Sequence, residues 1–127
     1  MSVRLGESLE DYLETLLILE KTGKIRCVDV ASKLKVSKPS VNKAMNVLKE
    51  KGYVHQESYG DIHLSDEGRK IAQEVYHRHQ VISSFLTDVL GVAPETAEED
   101  ACHIEHQISD ETFQKIEKFV YKLYMSF

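Results

Sequence analysis

Three potential metal ligands of different chemical type lie within five residues of one another in the segment DACHIEHQ, residues 100–107. Cys102, Glu105 and His106 are spaced i, i+3 and i+4, so a helix places a sulfur, an oxygen and a nitrogen donor on one face, with His103 off that face. A divalent cation can use such a mixed set, whereas a hydrophobic core cannot. The alternative is that the cysteine is a small buried hydrophobic residue and the others are ordinary helix residues. Three donor types at this spacing favour the metal site.

The same segment also resembles a catalytic zinc motif. The inverted zincin helix has the pattern H-x-x-E-H, but Cys102 occupies the position of its first histidine. The sequence contains no glycine-rich phosphate loop, no G-x-S-x-G motif and no Walker motif. We therefore predict that the protein is not an enzyme and has no small-molecule substrate.

Three further residues are candidate ligands from outside this segment. Asp11 and Glu14 are i, i+3 neighbours on one helix face, although acids near a helix start are more often solvated groups that suit the helix dipole. His79 lies in a long predicted helix, two residues after His77, which points to a different face. A lone histidine is more often a hydrogen-bonded surface or interface residue. Residue types alone leave both alternatives open for these three positions.

The elements that must position these residues are mainly helical. Apolar residues recur at helical spacing over most of the chain, and Ser8, Ser37 and Ser109 are candidate N-caps. Short alternating segments on either side of a glycine-containing turn predict a β-hairpin. The predicted helices cover residues 8–21, 27–36, 38–51, 65–91, 94–107 and 109–124, and the predicted hairpin covers residues 53–65.

A basic segment lies inside an acidic protein. The net charge of the chain is −5, yet residues 21–51 carry nine lysines and arginines against two acids, a net charge of +7. Such a local concentration is expected of a DNA-binding surface, although a solvated helix face would look the same. Two short helices, a turn and a third helix followed by a hairpin predict a winged helix-turn-helix.

The second helix of this motif would enter the major groove with its N-terminal residues. Asparagine can pair with adenine, lysine with guanine or phosphate, and the proline ring can contact a thymine methyl group. The alternative is a three-helix core whose last helix merely starts with polar residues. The predicted DNA-binding residues are Ser37, Lys38, Pro39, Ser40, Asn42, Lys43 and Asn46.

Five segments of the chain together resemble the diphtheria-toxin-repressor family of metal-dependent transcriptional repressors, in its two-domain, manganese-transport-regulator-like branch. Members are homodimers in which a winged-helix domain binds a palindromic operator and a helical domain holds metal and the dimer interface. The matching segments are EDYLETLLILE (10–20), VASKLKVSKPSVNKAMNVLKEKGYV (30–54), LSDEGRKIA (64–72), VYHRHQVISSFLTDVLGV (75–92) and DACHIEHQISDE (100–111).

This resemblance implies a winged-helix DNA-binding domain over residues 1–74 and an α-helical metal-binding and dimerisation domain over residues 75–127. It implies Mn²⁺ or Fe²⁺ as cofactor, with Co²⁺ and Zn²⁺ able to bind in vitro, and double-stranded operator DNA as partner. Metal would lock the dimer in an operator-binding geometry, and binding should weaken below about pH 6 as the histidines protonate. The implied ligands are Asp11, Glu14, His79, Cys102, Glu105 and His106.

Two other functions are compatible with the residues alone. A metal-independent winged-helix regulator of the multidrug-resistance type would keep DNA binding without the ligand set. A metal-binding structural or storage module would lack sequence-selective DNA binding. The N-terminal residues have no apolar leader and the two cysteines provide no disulfide framework, so we expect a cytoplasmic protein with no membrane partner.

Overall fold

The computed structural model describes residues 5–57 and 60–126, and these residues confirm the predicted mainly helical fold with a winged helix-turn-helix. The described residues fall into two compact units, Met1–Glu74 and Val75–Phe127. No helix among them is long and apolar enough to cross a membrane. The elements are α1 (Glu7–Glu20), α2 (Cys27–Leu34), α3 (Lys38–Glu50), β1 (Val54–Gln56), β2 (Ile62–Leu64), α4 (Asp66–Ser84), a π-helical segment (Phe85–Val89), α5 (Pro94–Gln107) and α6 (Asp110–Met125).

The first unit packs its three helices around an apolar core and covers part of that core with the hairpin. The inward faces of α1 and α3 contribute the fully buried Leu13, Leu16 and Leu48. β1 and β2 are antiparallel, and Ile62 also donates its N–H to the carbonyl of Ile25 at 2.9 Å. The apolar side chains of the hairpin point towards the core, so its register is fixed by burial.

Of the three predicted N-caps, the structure confirms Ser37 and Ser109 but not Ser8. Ser37 caps α3, accepting a hydrogen bond from the Ser40 N–H at 3.2 Å, and Ser109 caps α6 in the same way. The predicted Ser8 cap is wrong, because α1 begins one residue earlier, at Glu7, and its N-cap is Gly6. The backbone of Gly6 has φ of 94°, a conformation that glycine adopts without steric cost.

The second unit is a helical assembly formed by the later part of α4, the π-helical segment, α5 and α6. Small residues of α5 allow close approach to the larger side chains of the neighbouring helices. Arg78 is buried and its guanidinium lies 3.9 Å from the Asp110 carboxylate at the start of α6. The buried apolar residues are Val81, Ile82, Leu86, Ala97, Ala101, Phe113 and Val120.

Gly68, in the first turn of α4, touches the backbone at the start of the wing. A Cβ atom at this position would lie 2.0 Å from the carbonyl oxygen of Tyr53, which also accepts the N–H of Ser65. Gly68→Ala should therefore lower the free energy of unfolding by about 1–3 kcal/mol, although glycine to alanine in a helix is normally stabilising. Urea unfolding measures the difference, with Gln73→Ala on the exposed face of α4 as control. Equal or greater stability of Gly68→Ala would contradict the contact.

Candidate functional site

A cluster of mixed metal-ligand types lies within the second unit. His79 comes from α4, and Cys102 and Glu105 come from one face of α5. One potential ligand atom from each residue lies within 4.8 Å of the other two. Glu105 is fully buried and His79 is 5% exposed, so the nitrogen and oxygen donors are largely shielded from bulk water, while Cys102 is exposed. We call these three residues the inner cluster.

Both ring nitrogens of His79 face carboxylates. Its Nδ1 lies 3.0 Å from Oε2 of Glu105, and its Nε2 lies 2.7 Å from Oε1 of Glu98. Glu98 was not among the predicted site residues. It precedes Cys102 by four positions and so shares its helix face, a spacing that could have identified it. A carboxylate on the second ring nitrogen is a common way to fix the orientation of a metal-binding histidine.

The surroundings of His79 favour its protonated form. Hydrogen bonds with Cys102 and then with Glu105 raise the pKa of His79 to about 11, and burial opposes that rise only partly. In the metal-free protein the imidazole therefore carries a proton at neutral pH. A metal ligand nitrogen must give up its proton, so metal and proton compete for this residue well above the pH 6 limit expected from an ordinary histidine.

Metal affinity is accordingly expected to keep rising with pH through the neutral range. Below a pKa of about 11 for His79, this residue alone must release one proton for each metal bound, so the apparent affinity should increase at least about tenfold per pH unit between pH 6.5 and 8.5. Calorimetric titration in buffers of different ionisation enthalpy counts the released proton. His79→Gln should remove the proton release that belongs to this residue. A pH-independent affinity above pH 7 would contradict the prediction.

Glu105 also contacts the fourth predicted ligand of this unit. The Nε2 atom of His106 lies 3.1 Å from Oε1 of Glu105, and both side chains are fully buried. Nitrogen, sulfur and carboxylate oxygen form a donor set of intermediate hardness, which fits a divalent transition metal. The donor chemistry of these residues therefore fits a divalent metal ion, and the choice of Mn²⁺ or Fe²⁺ stays a prediction.

The remaining candidate ligands lie on the first helix. Glu14 is buried and Asp11 half-buried, both on α1 of the first unit. Their assignment as ligands stays a prediction. His77, which helical spacing set apart from His79, instead contacts the carboxylate of Glu117 on α6 and packs edge-on against Phe113.

All seven predicted DNA-binding residues are exposed: Ser37 immediately precedes α3, five lie in its first two turns, and Asn46 lies about one turn further along. The opposite face of α3 buries Val41, Met45 and other apolar residues in the core of the first unit. Ser37 has a second role as the helix cap, and the amide oxygen of Asn42 accepts a hydrogen bond from the Cys27 thiol at 3.4 Å. That bond leaves the amide nitrogen of Asn42 available to a base edge.

Two known protein families match successive parts of the chain. Residues 4–62 match the family described as "Iron dependent repressor, N-terminal DNA binding domain". Residues 65–125 match "Iron dependent repressor, metal binding and dimerisation domain". The inner cluster lies within the second match and the exposed N-terminal face of α3 within the first.

Two individual transcriptional regulators are also similar to the chain in sequence. The transcriptional regulator MntR of Escherichia coli O157:H7 is 38% identical over 117 residues, which is 91% of this chain and 75% of that protein. An uncharacterised HTH-type transcriptional regulator of Methanocaldococcus jannaschii is 34% identical, with 93% and 96% covered.

Two solved manganese-regulator structures resemble the fold. The manganese regulator SloR has a TM-score of 0.79 and 28% identity, and covers 95% of this chain. A manganese-dependent transcriptional repressor in complex with manganese has a TM-score of 0.81 and 25% identity, and covers 88% of this chain. The chain spans about half the length of these two solved proteins, 55% and 52% respectively.

Proposed function

Because the chain belongs to the iron dependent repressor family, we propose that it represses transcription by binding operator DNA as a dimer when a divalent metal occupies the site around Glu105. Like its relatives, the protein is a metal-dependent DNA-binding regulator. It is not an enzyme. This membership also favours metal dependence over the multidrug-resistance type of regulator. The observation that carries the proposal is the convergence of His79, Cys102 and Glu105 within the part that matches a metal-binding domain.

The residues of the site hold, orient and shield the donor atoms. Glu98 fixes the ring of His79 through Nε2 and leaves Nδ1 directed at Glu105. Burial keeps water away from the carboxylate, so its negative charge strongly favours any cation that replaces the His79 proton. When bound, a divalent metal supplies two positive charges and directional bonds that draw its ligands together. On the strength of the sequence resemblance, we propose Asp11 and Glu14 as further ligands contributed by α1.

We propose Mn²⁺ or Fe²⁺ as the activating metal. Carboxylate oxygens suit Mn²⁺, whereas the Cys102 sulfur and the imidazoles suit Fe²⁺ as well. Co²⁺ and Zn²⁺ are expected to bind in vitro because affinity for such donors rises along the first transition row. Affinity in solution and response in the cell therefore need separate measurement.

A DNA-binding titration under anaerobic conditions tests the proposed function. DNA selected from a random pool by the Mn²⁺-loaded or Fe²⁺-loaded protein serves as probe, and affinity is compared in Mn²⁺, Fe²⁺, Co²⁺, Zn²⁺ and chelator. We expect tight binding only with metal, and selected sequences that are palindromic, since a two-fold dimer presents two equivalent recognition helices. Equal affinity in chelator and in metal would refute metal activation.

Cys102 is expected to influence the choice of metal. Cys102→Ser removes the sulfur donor and should lower affinity for Fe²⁺ and Co²⁺ more than for Mn²⁺, because Mn²⁺ prefers oxygen ligands. Metal competition assays measure the ratios, and the Co²⁺–thiolate absorption band should be absent from the variant. The other cysteine, Cys27, lies in the first unit and Cys27→Ser provides the matched control. An unchanged Co²⁺ spectrum in Cys102→Ser would show that the sulfur does not ligate metal.

A further inference from the structure

Two histidines face each other on the wing of the first unit. His55 in β1 and His63 in β2 are directly paired in the antiparallel register, and both side chains are exposed. Their rings are stacked, with centroids 4.9 Å apart and an interplanar angle of 21°. We call them the wing histidine pair. They belong to a different unit from the inner cluster.

The fold holds this pair in place from the opposite face of the hairpin. Val54, Ile62 and Leu64 are all at most 5% exposed and point into the core. A slip of one residue in the register would bury the histidines and expose these apolar groups, so the pairing is strongly specified. Both imidazoles are therefore presented to solvent at a fixed cross-strand spacing.

In the described part of the chain, no other protein group binds the ring nitrogens of the wing histidine pair. Each ring stacks on the other. Within residues 5–57 and 60–126, neither ring has a hydrogen bond or an ion pair. An imidazole in its neutral form has one nitrogen lone pair, so two such rings can offer two lone pairs side by side. Asp61, which precedes β2, has its carboxylate 3.8 Å from the ammonium group of Lys24.

Directly opposed residues on paired strands have Cβ atoms about 4.5–5.5 Å apart. Zinc–nitrogen bonds are about 2.0–2.1 Å long, so rotation of two such rings can bring one nitrogen from each to a single ion. Imidazole nitrogen suits Zn²⁺, Cu²⁺ and Ni²⁺, whereas Mn²⁺ favours oxygen. From this geometry we propose that the wing histidine pair is a second metal site, which binds a transition-metal cation of the Zn²⁺ class through His55 and His63, with water completing the coordination.

Zn²⁺ titration of the wild-type chain and of the His55→Ala, His63→Ala and double variants tests this site. The wild-type chain should bind one more Zn²⁺ than any of the three variants, because loss of either ring removes the chelate and weakens this site about 10-fold or more. His103→Ala, which removes an exposed histidine of α5, is the matched control and should retain the additional ion. Equal Zn²⁺ stoichiometry and affinity in the wild type and the wing variants would overturn the proposal.

A second measurement observes the two rings in the unmodified protein. During Zn²⁺ titration, the imidazole NMR signals of His55 and His63 should change together and with the same concentration dependence. Mn²⁺ added at equal concentration should not broaden these signals selectively, because it binds imidazole pairs weakly. Zn²⁺-independent signals for both rings, or a change in one ring alone, would exclude a shared ion. This test does not depend on operator binding, so it can fail while the proposed function holds.

Discussion

Glu105→Ala is expected to abolish metal-dependent operator binding. The two carboxylate oxygens of Glu105 lie 3.0 Å from Nδ1 of His79 and 3.1 Å from Nε2 of His106, and the side chain is fully buried. Removal of the carboxylate deletes one donor and leaves the protonated His79 without one of the two carboxylates that face its ring nitrogens. We expect metal affinity to fall by about 100-fold or more, since even loss of a group that only supports a ligand costs about 10–100-fold.

The predicted readout is a DNA affinity that no longer differs between metal and chelator. Glu105→Gln keeps the volume of the side chain and removes only its charge, so it separates metal binding from packing. Glu99→Ala, on the exposed face of the same helix, is the matched control and should behave as wild type. Full metal activation in Glu105→Gln would show that this carboxylate is not a ligand.

Asn42→Ala is expected to relax DNA sequence selectivity. Asn42 is exposed on the second turn of α3, and its amide can pair with an adenine edge in the major groove. Loss of such a contact should reduce discrimination at one base position by about 1–3 kcal/mol, or about 5–150-fold in relative affinity. Binding to unrelated DNA should remain as in the wild type, because non-specific affinity depends on phosphate contacts.

Lys43→Ala, at the residue after Asn42, is expected to weaken DNA binding without changing sequence selectivity. A lysine that contacts phosphate lowers affinity for every sequence alike when removed, and reduces the slope of log affinity against log salt by about one. Lys115→Ala, an exposed lysine of α6, is the control for the change in total charge. Base-substitution series at two salt concentrations distinguish the two effects. Unchanged selectivity in Asn42→Ala together with unchanged salt dependence in Lys43→Ala would contradict this placement of α3 on DNA.

Much of the fold was predictable because its signals are local. The positions of Ser37 and Ser109 before helical segments predict that both are caps, and helical periodicity places Cys102 and Glu105 on one face. At the first helix the same kind of local pattern predicted the wrong N-cap, Ser8 in place of Gly6 two residues earlier. Gly6 is the N-cap because its backbone adopts a positive φ that other residues rarely adopt.

What the sequence determined by itself was therefore the set of donor types, their helix faces and the exposed polar start of α3. The packing of α4 against α5 decided that His79 meets Cys102 and Glu105, and that Glu98 holds the second nitrogen of His79. The register of the wing decided that His55 and His63 stack on the exposed face. Periodicity and caps depend on residues within about one helical turn, whereas these contacts join positions separated by 8 to 26 residues. Their proximity depends on burial of whole apolar faces, which residue spacing alone does not reveal.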